Sequence, residues 1–223
     1  MRSWGAERLA AYSGVAFVVC YLLGFFVAGN PPDLNASAER WTLFFAGHHR
    51  RELAGAILVG VAFVAFLWFL GSLAAALRRG GETRLGDVAL GCGLVAAAAA
   101  YVYVGLDAAA YRVGIDQPAM LKGVIDIAYV AATVASFPLA GLAGAVALAS
   151  WRSGILPSWY AASGGLAAVV LLSSGGALAQ NGFYRPDGPY AFAALVVFLL
   201  WTVVTSVLVA SRAPTPGLDS KHP

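Results

Sequence analysis

Asp107 and Asp126 are carboxylates set within long apolar stretches. An ionisable side chain is costly to hold there and is a functional candidate by default. Tyr103 and Tyr111 stand four residues to either side of Asp107, so on a helix the three share one face. Asp126 is followed by Tyr129, Thr133 and Ser136, a spacing that draws a polar stripe along a helix toward Pro138. A short loop separates the two segments, which predicts antiparallel neighbours with both carboxylates at similar depth. On that expectation Asp107, Asp126, Tyr103 and Tyr129 line an outward-open polar pocket, with Tyr111 on the same helix face. Arg112, Lys122, Arg185 and the His48–Arg51 group fall at its rim. Such a pocket suits a small cation or a polar head group. The simpler expectation is that the two carboxylates pair with Arg112 and Lys122 at the water boundary and fix the ends of their helices.

Other chemistries lack their residues. His48 and His49 are adjacent, whereas haem in a helical bundle needs histidines projecting inward from facing helices. A zinc site needs three or four ligands, and only Glu52 lies at a suitable local spacing. Cys20 and Cys92 sit in apolar runs with no CxxC pattern and read as small buried hydrophobes. There is no GxSxG elbow, and Ser173-Ser174-Gly175-Gly176 has no intramembrane histidine to act as base. A GxxxxGK[ST] loop is also missing. No catalytic residue, metal site or cofactor is expected.

The elements that must position these residues follow from composition. Of 223 residues, 60% are apolar and 11% charged, against roughly a quarter charged in soluble domains. The apolar residues form long unbroken runs without strict alternation, so in hydrocarbon the backbone must close its hydrogen bonds within helices rather than in a barrel. An all-α polytopic transmembrane bundle is predicted, a single domain over 1–211. Its six spans run at about 9–28, 53–77, 85–108, 123–150, 157–179 and 190–211, each near the ~20 residues that cross a bilayer. The first is read as a retained span rather than a cleaved signal, because it lacks a small-x-small site. Pro138 should kink the fourth span. The Gly- and Ser-rich fifth should pack closely inside the bundle. After Asn30-Pro31-Pro32, Asn35 or Ser37 is placed to cap a short interfacial amphipathic helix ending near Gly47. Residues 212–223 are polar and Pro-rich and read as a disordered cytoplasmic tail. The net charge of +3 comes from basic residues scattered at span ends, which anchors a membrane surface and gives no nucleic-acid face. Their distribution, with the Arg78-Arg79-Arg84 turn between spans two and three, places both termini in the cytoplasm of a multi-pass plasma-membrane protein.

Ala46-Gly47-His48-His49-Arg50-Arg51-Glu52-Leu53-Ala54-Gly55, Phe66-Leu67-Trp68-Phe69-Leu70-Gly71-Ser72-Leu73 closing with Leu77-Arg78-Arg79, and Gly154-Ile155-Leu156-Pro157-Ser158-Trp159 before span five carry a resemblance across most of the chain. It resembles a family of six-helix bacterial (actinobacterial-type) integral membrane proteins of unknown function. The resemblance implies a fold and a location and no activity.

Three functions stay open, in this order. The first is a non-enzymatic membrane protein that binds a small molecule or lipid at the outward-facing pocket, or associates with another membrane protein or a second copy of itself. The second is a secondary transporter or permease using Asp107 and Asp126. The third is an intramembrane enzyme acting on lipid or quinone.

Overall fold

The computed structural model describes residues 3–113 and 116–212, with side chains given for 10–110 and 116–212. The predicted tail beyond Arg212 lies outside the described residues. Within them the chain forms seven helices and no strand: α1 (Ser3–Ala28), α2 (Ala38–Arg79), α3 (Thr83–Val113), α4 (Pro118–Val134), α5 (Ser136–Ser153), α6 (Ser158–Ser174) and α7 (Pro189–Ser211).

Local chemistry sets these boundaries. Ser37 is the N-cap of α2, its hydroxyl accepting from the Arg40 N–H at 3.4 Å. The amphipathic segment that follows is not a separate helix. No proline occurs between Ala38 and Arg79, and an added Cβ on Gly47 would meet nothing within 4 Å. The helix therefore runs through His48–Arg51 into the apolar span as one piece of 42 residues. At 1.5 Å per residue it is about 63 Å long, roughly twice a bilayer's hydrocarbon core. The break expected around Pro138 falls at Ala135, between α4 and α5. Pro138 has no N–H for the Val134 carbonyl, and its ring crowds the preceding turn. The fifth span is shorter than the predicted 157–179. Gly175 and Gly176 end α6 at Ser174, after 17 residues, and residues 175–188 continue as turns.

α1 packs against α2 and α7, α3 against α2, α4 and α5, and α5 against α6. Ser206 of α7 donates to the Ala11 carbonyl of α1 at 2.5 Å, which brings the start of α1 and the end of α7 to one face of the bundle. We call this the terminal face, and the opposite end, with residues 29–37 and 175–188, the loop face. The main core centres on Phe17, whose ring meets Phe63, Phe66 and Phe198 at centroid distances of 5.3, 4.9 and 6.0 Å. Other buried hydroxyls are satisfied within their own helix, as in Thr202 to the Phe198 carbonyl (2.9 Å) and Thr205 to that of Trp201 (2.6 Å). A second, smaller core at the loop face joins Leu34, Trp41, Phe45, Ala110, Leu121 and Ile125. It exists because α2 and α3 outrun α1 and α6.

Large apolar side chains cover the outside. Phe26 is 71% exposed, Trp68 68% and Leu166 66%, and so many exposed large apolar side chains are rare on a soluble monomer. Trp151 and Trp159 stand exposed at the terminal face beside the Arg78–Asp87 (2.6 Å) and Arg152–Glu82 (3.3 Å) ion pairs. Tryptophan beside charge marks a headgroup level.

Candidate functional site: an interior cavity and its side chamber

α4 leans on α3 and α2 and makes no substantial contact with α6 or α7. The space between them is a cavity of about 580 Å³. Its walls are mostly apolar and aromatic, with Tyr21, Phe63, Tyr103, Tyr129, Phe192 and Phe198 among them. The Phe17 cluster closes it toward the terminal face. Ala132 of α4 and Phe192 of α7 line it and are exposed, and their helices make no substantial contact across it. The cavity thus opens sideways, between helices whose outer surface is apolar.

At the loop face the same cavity is roofed by charge. Arg185 donates to Asp33 Oδ2 at 2.7 Å and its Nε lies against Asp187 Oδ1 as an ion pair. Asp187 Oδ2 accepts the Leu34 N–H at 2.9 Å, and Asn35 Nδ2 donates to the Gln180 carbonyl at 2.9 Å. These contacts tie two loops more than 140 residues apart in sequence. The Asn35 N–H donates to Asp33 Oδ1 at 2.8 Å. That bond, and then the Arg185 guanidinium, hold the Asp33 carboxyl below the usual carboxylate range.

A chamber of about 120 Å³ adjoins the main cavity across the shared rings of Tyr21, Tyr103 and Tyr129. Tyr103 and Tyr129 meet edge to face at 6.3 Å and 90°. Asp107 lines this chamber, and so does Glu52. Glu52 is 8% exposed, and its Oε1 has no hydrogen-bond partner.

The predicted residues therefore separate. Asp107, Tyr103 and Tyr129 converge as expected, and Arg185 sits at the rim. Asp126 does not join them. The buried face of α4 centres on Leu121, Ile125 and Ala128, and at ~100° per residue Asp126 falls on its flank. There it pairs with Lys122 one turn away and lines neither cavity. This is the simpler pairing expected from the sequence. The side chains of Tyr111 and Arg112 lie outside the described residues. His48 stacks on Phe44 (4.8 Å, 17°), its Nδ1 3.0 Å from the Phe44 carbonyl, and among the described residues no cluster of three or more metal-ligating groups forms.

Glu52 of the chamber, like Asp33 and Asp187 of the roof, lines the site without having been expected there. Once α2 is continuous, Phe45, Glu52, Val59 and Phe66 form a heptad stripe in which Glu52 is the one charge. Because Asp126 is half-exposed and paired only locally, Asp126→Asn should shift thermal unfolding by no more than about 0.5 kcal/mol. A large loss of stability on that substitution would place Asp126 in a buried network.

α1, α2, α3, α7 and the α4–α5 pair taken as one segment are the five stretches of span length, and with the apolar exterior they define a multi-pass membrane protein of all-α class, with α6 as a sixth, shorter apolar helix. No family model matches the chain, and no curated protein or solved structure is significantly similar to it.

Proposed function

We propose that this membrane protein binds a small amphipathic or lipid-class molecule in the interior cavity, taken up sideways from the bilayer, and performs no chemistry on it. The observation that carries this reading is the cavity itself. Its volume of about 580 Å³ is within the ~300–1,000 Å³ of small-molecule sites, which are characteristically apolar and aromatic with a few placed polar groups. The opening at Ala132 and Phe192 faces apolar surface, so the partner most able to enter is already dissolved in the membrane.

A permease would need a polar path from the cavity to the terminal face. In that direction lie Phe17, Phe66 and Phe198, which pack ring against ring. This plug favours binding over passage. We further propose that the loop face is extracytoplasmic and the terminal face cytoplasmic, in line with the Arg78-Arg79-Arg84 turn at the latter.

The test uses the full chain in lipid nanodiscs and a diazirine-bearing decanol as the probe. Photolysis should label cavity residues such as Tyr129 and Leu195, and excess decanol should compete. Ala191→Trp, which fills the cavity, should reduce that labelling at least tenfold. Labels confined to lipid-facing Leu166 and Val169, equal in parent and variant, would refute the reading.

A further inference from the structure

We propose that the chamber beside the main cavity is a site for an organic ammonium head group, with Glu52 and Asp107 as its counter-charges and the surrounding rings as its walls. The inference rests on the reading that the adjoining cavity holds the apolar part of the same molecule.

A buried carboxylate oxygen without a partner is costly, and native structures keep few of them unless something is meant to meet it. Glu52 Oε1 is such an atom, on a side chain more than nine-tenths buried. Asp107 lines the same chamber, and among the described residues no lysine, arginine or histidine does. Arg51, the neighbouring cation on α2, acts on Glu52 through space but does not line the chamber, and its Nε donates to the Val27 carbonyl at 3.2 Å. Two carboxyl groups thus face one small space that no positive side chain among the described residues lines. A cation is the missing charge.

The walls select the kind of cation. Tyr21, Trp41, Phe44, Phe45, Tyr103 and Tyr129 line the chamber, and aromatic faces attract ammonium groups, quaternary ones above all. Calcium would require six or more oxygen ligands, and the chamber offers two carboxylates amid rings. Trp41 adds a polar feature, for its indole N–H is buried without a partner. It offers one donor to an oxygen carried near the ammonium. At about 120 Å³ the chamber has room for a compact head and not for a chain. The chain has the larger cavity next door, reached past Tyr21, Tyr103 and Tyr129, which line both spaces.

Decyltrimethylammonium, below its micellar concentration, is the probe, and decanol is its neutral counterpart. Titration of the full chain in nanodiscs by calorimetry should give saturable binding of both, at least tenfold tighter for the ammonium. In the Glu52→Gln/Asp107→Asn double variant that preference should vanish while decanol affinity is unchanged. The amides are isosteric and remove buried charge, so this variant should unfold at no lower temperature than the parent. Each single variant should lose part of the preference. Equal affinity for the two probes in the parent chain would overturn the ammonium site and leave the cavity reading intact. Failure of both probes to bind would overturn both. Retention of the preference in the double variant would assign it to other groups and overturn the proposal. So would displacement of decyltrimethylammonium by calcium chloride but not by tetramethylammonium chloride, which would make the carboxylates a metal site.

Discussion

Replacing Gly55 with leucine should pry α1 from α2 and cost roughly 3 kcal/mol or more of stability, at the upper end of what overpacking does. A Cβ on Gly55 would lie 2.8 Å from the Gly24 carbonyl oxygen and 2.9 Å from Ala28 Cβ. One on Gly24 would lie 2.9 Å from the Gly55 carbonyl oxygen and 2.8 Å from Val59 Cγ2. The two glycines therefore press backbone against backbone, the close approach that small residues allow between membrane helices. Backbone cannot swing aside as a side-chain tip can. Gly60 and Gly71 lie on the same helix with nothing within 4 Å of an added Cβ. Gly60→Ala and Gly71→Ala should thus be neutral or stabilising by up to about 1 kcal/mol, the helix preference for alanine. Thermal unfolding of the three variants in bicelles makes the comparison. If Gly55→Leu melts with the parent, the contact is not as described.

Asp187→Ala should be the most damaging change at the loop face, costing about 2 kcal/mol as a lost charge-assisted hydrogen bond. The Asp187 side chain is 14% exposed and holds both the Leu34 N–H and the Arg185 guanidinium. Its removal leaves a buried backbone donor unpaired and frees the 29–37 loop from the 175–188 loop. Amide exchange at Leu34 should rise sharply while exchange in the middle of α2 stays as in the parent. Uniform exchange across both regions would deny the tie its role. Asp33 gives the same contact a pH dependence. Its carboxyl titrates below the ordinary value because the Asn35 N–H and then Arg185 favour the charged form. A depressed folded pKa means that its contribution is fully present above the unfolded value of about 3.9. It is lost as pH falls through the lower folded value. Protection in this loop, exchange taken relative to the intrinsic rate at each pH, should therefore be flat from neutrality down to about pH 4 and fall only in stronger acid.

Much of the bundle was legible in the chain. Apolar runs such as Leu53 to Leu77, Pro138 without its N–H and Ser37 ahead of Ala38-Glu39 each name a local event, and each event occurs close to where its residue predicts it. The fused α2 was harder, because polar His48–Arg51 looks like a boundary by hydropathy although nothing in its backbone chemistry stops a helix. The early end of α6 lay in Gly175-Gly176, a pair read there as packing residues. Gly164 does pack, its missing Cβ placed 3.2 Å from Ala147, whereas Gly165 faces open space.

The site was half legible for a related reason. Asp107 with Tyr103 is a pattern on one helix, and a single helical face can be read from spacing. Whether Asp126 or Glu52 completes it depends on how α2 and α4 are rotated about their axes. That rotation is set by the small core of Trp41, Phe45, Leu121 and Ile125, whose members lie up to 84 positions apart. The Gly24–Gly55 contact is illegible on the same grounds, since a glycine's spacing does not reveal which backbone will come to meet it.

The unbroken length of α2 has a mechanical consequence. Its backbone-to-backbone contact with α1, at Gly55, lies about 21 Å from Trp41 and about 36 Å from Arg79 along the axis at 1.5 Å per residue. Phe66, Phe69, Leu70, Leu73 and Leu77 are buried along the longer arm, so a shift of Trp41 along the helix axis is carried straight into the main core. Between the side chamber and the far membrane surface no joint in α2 absorbs the motion.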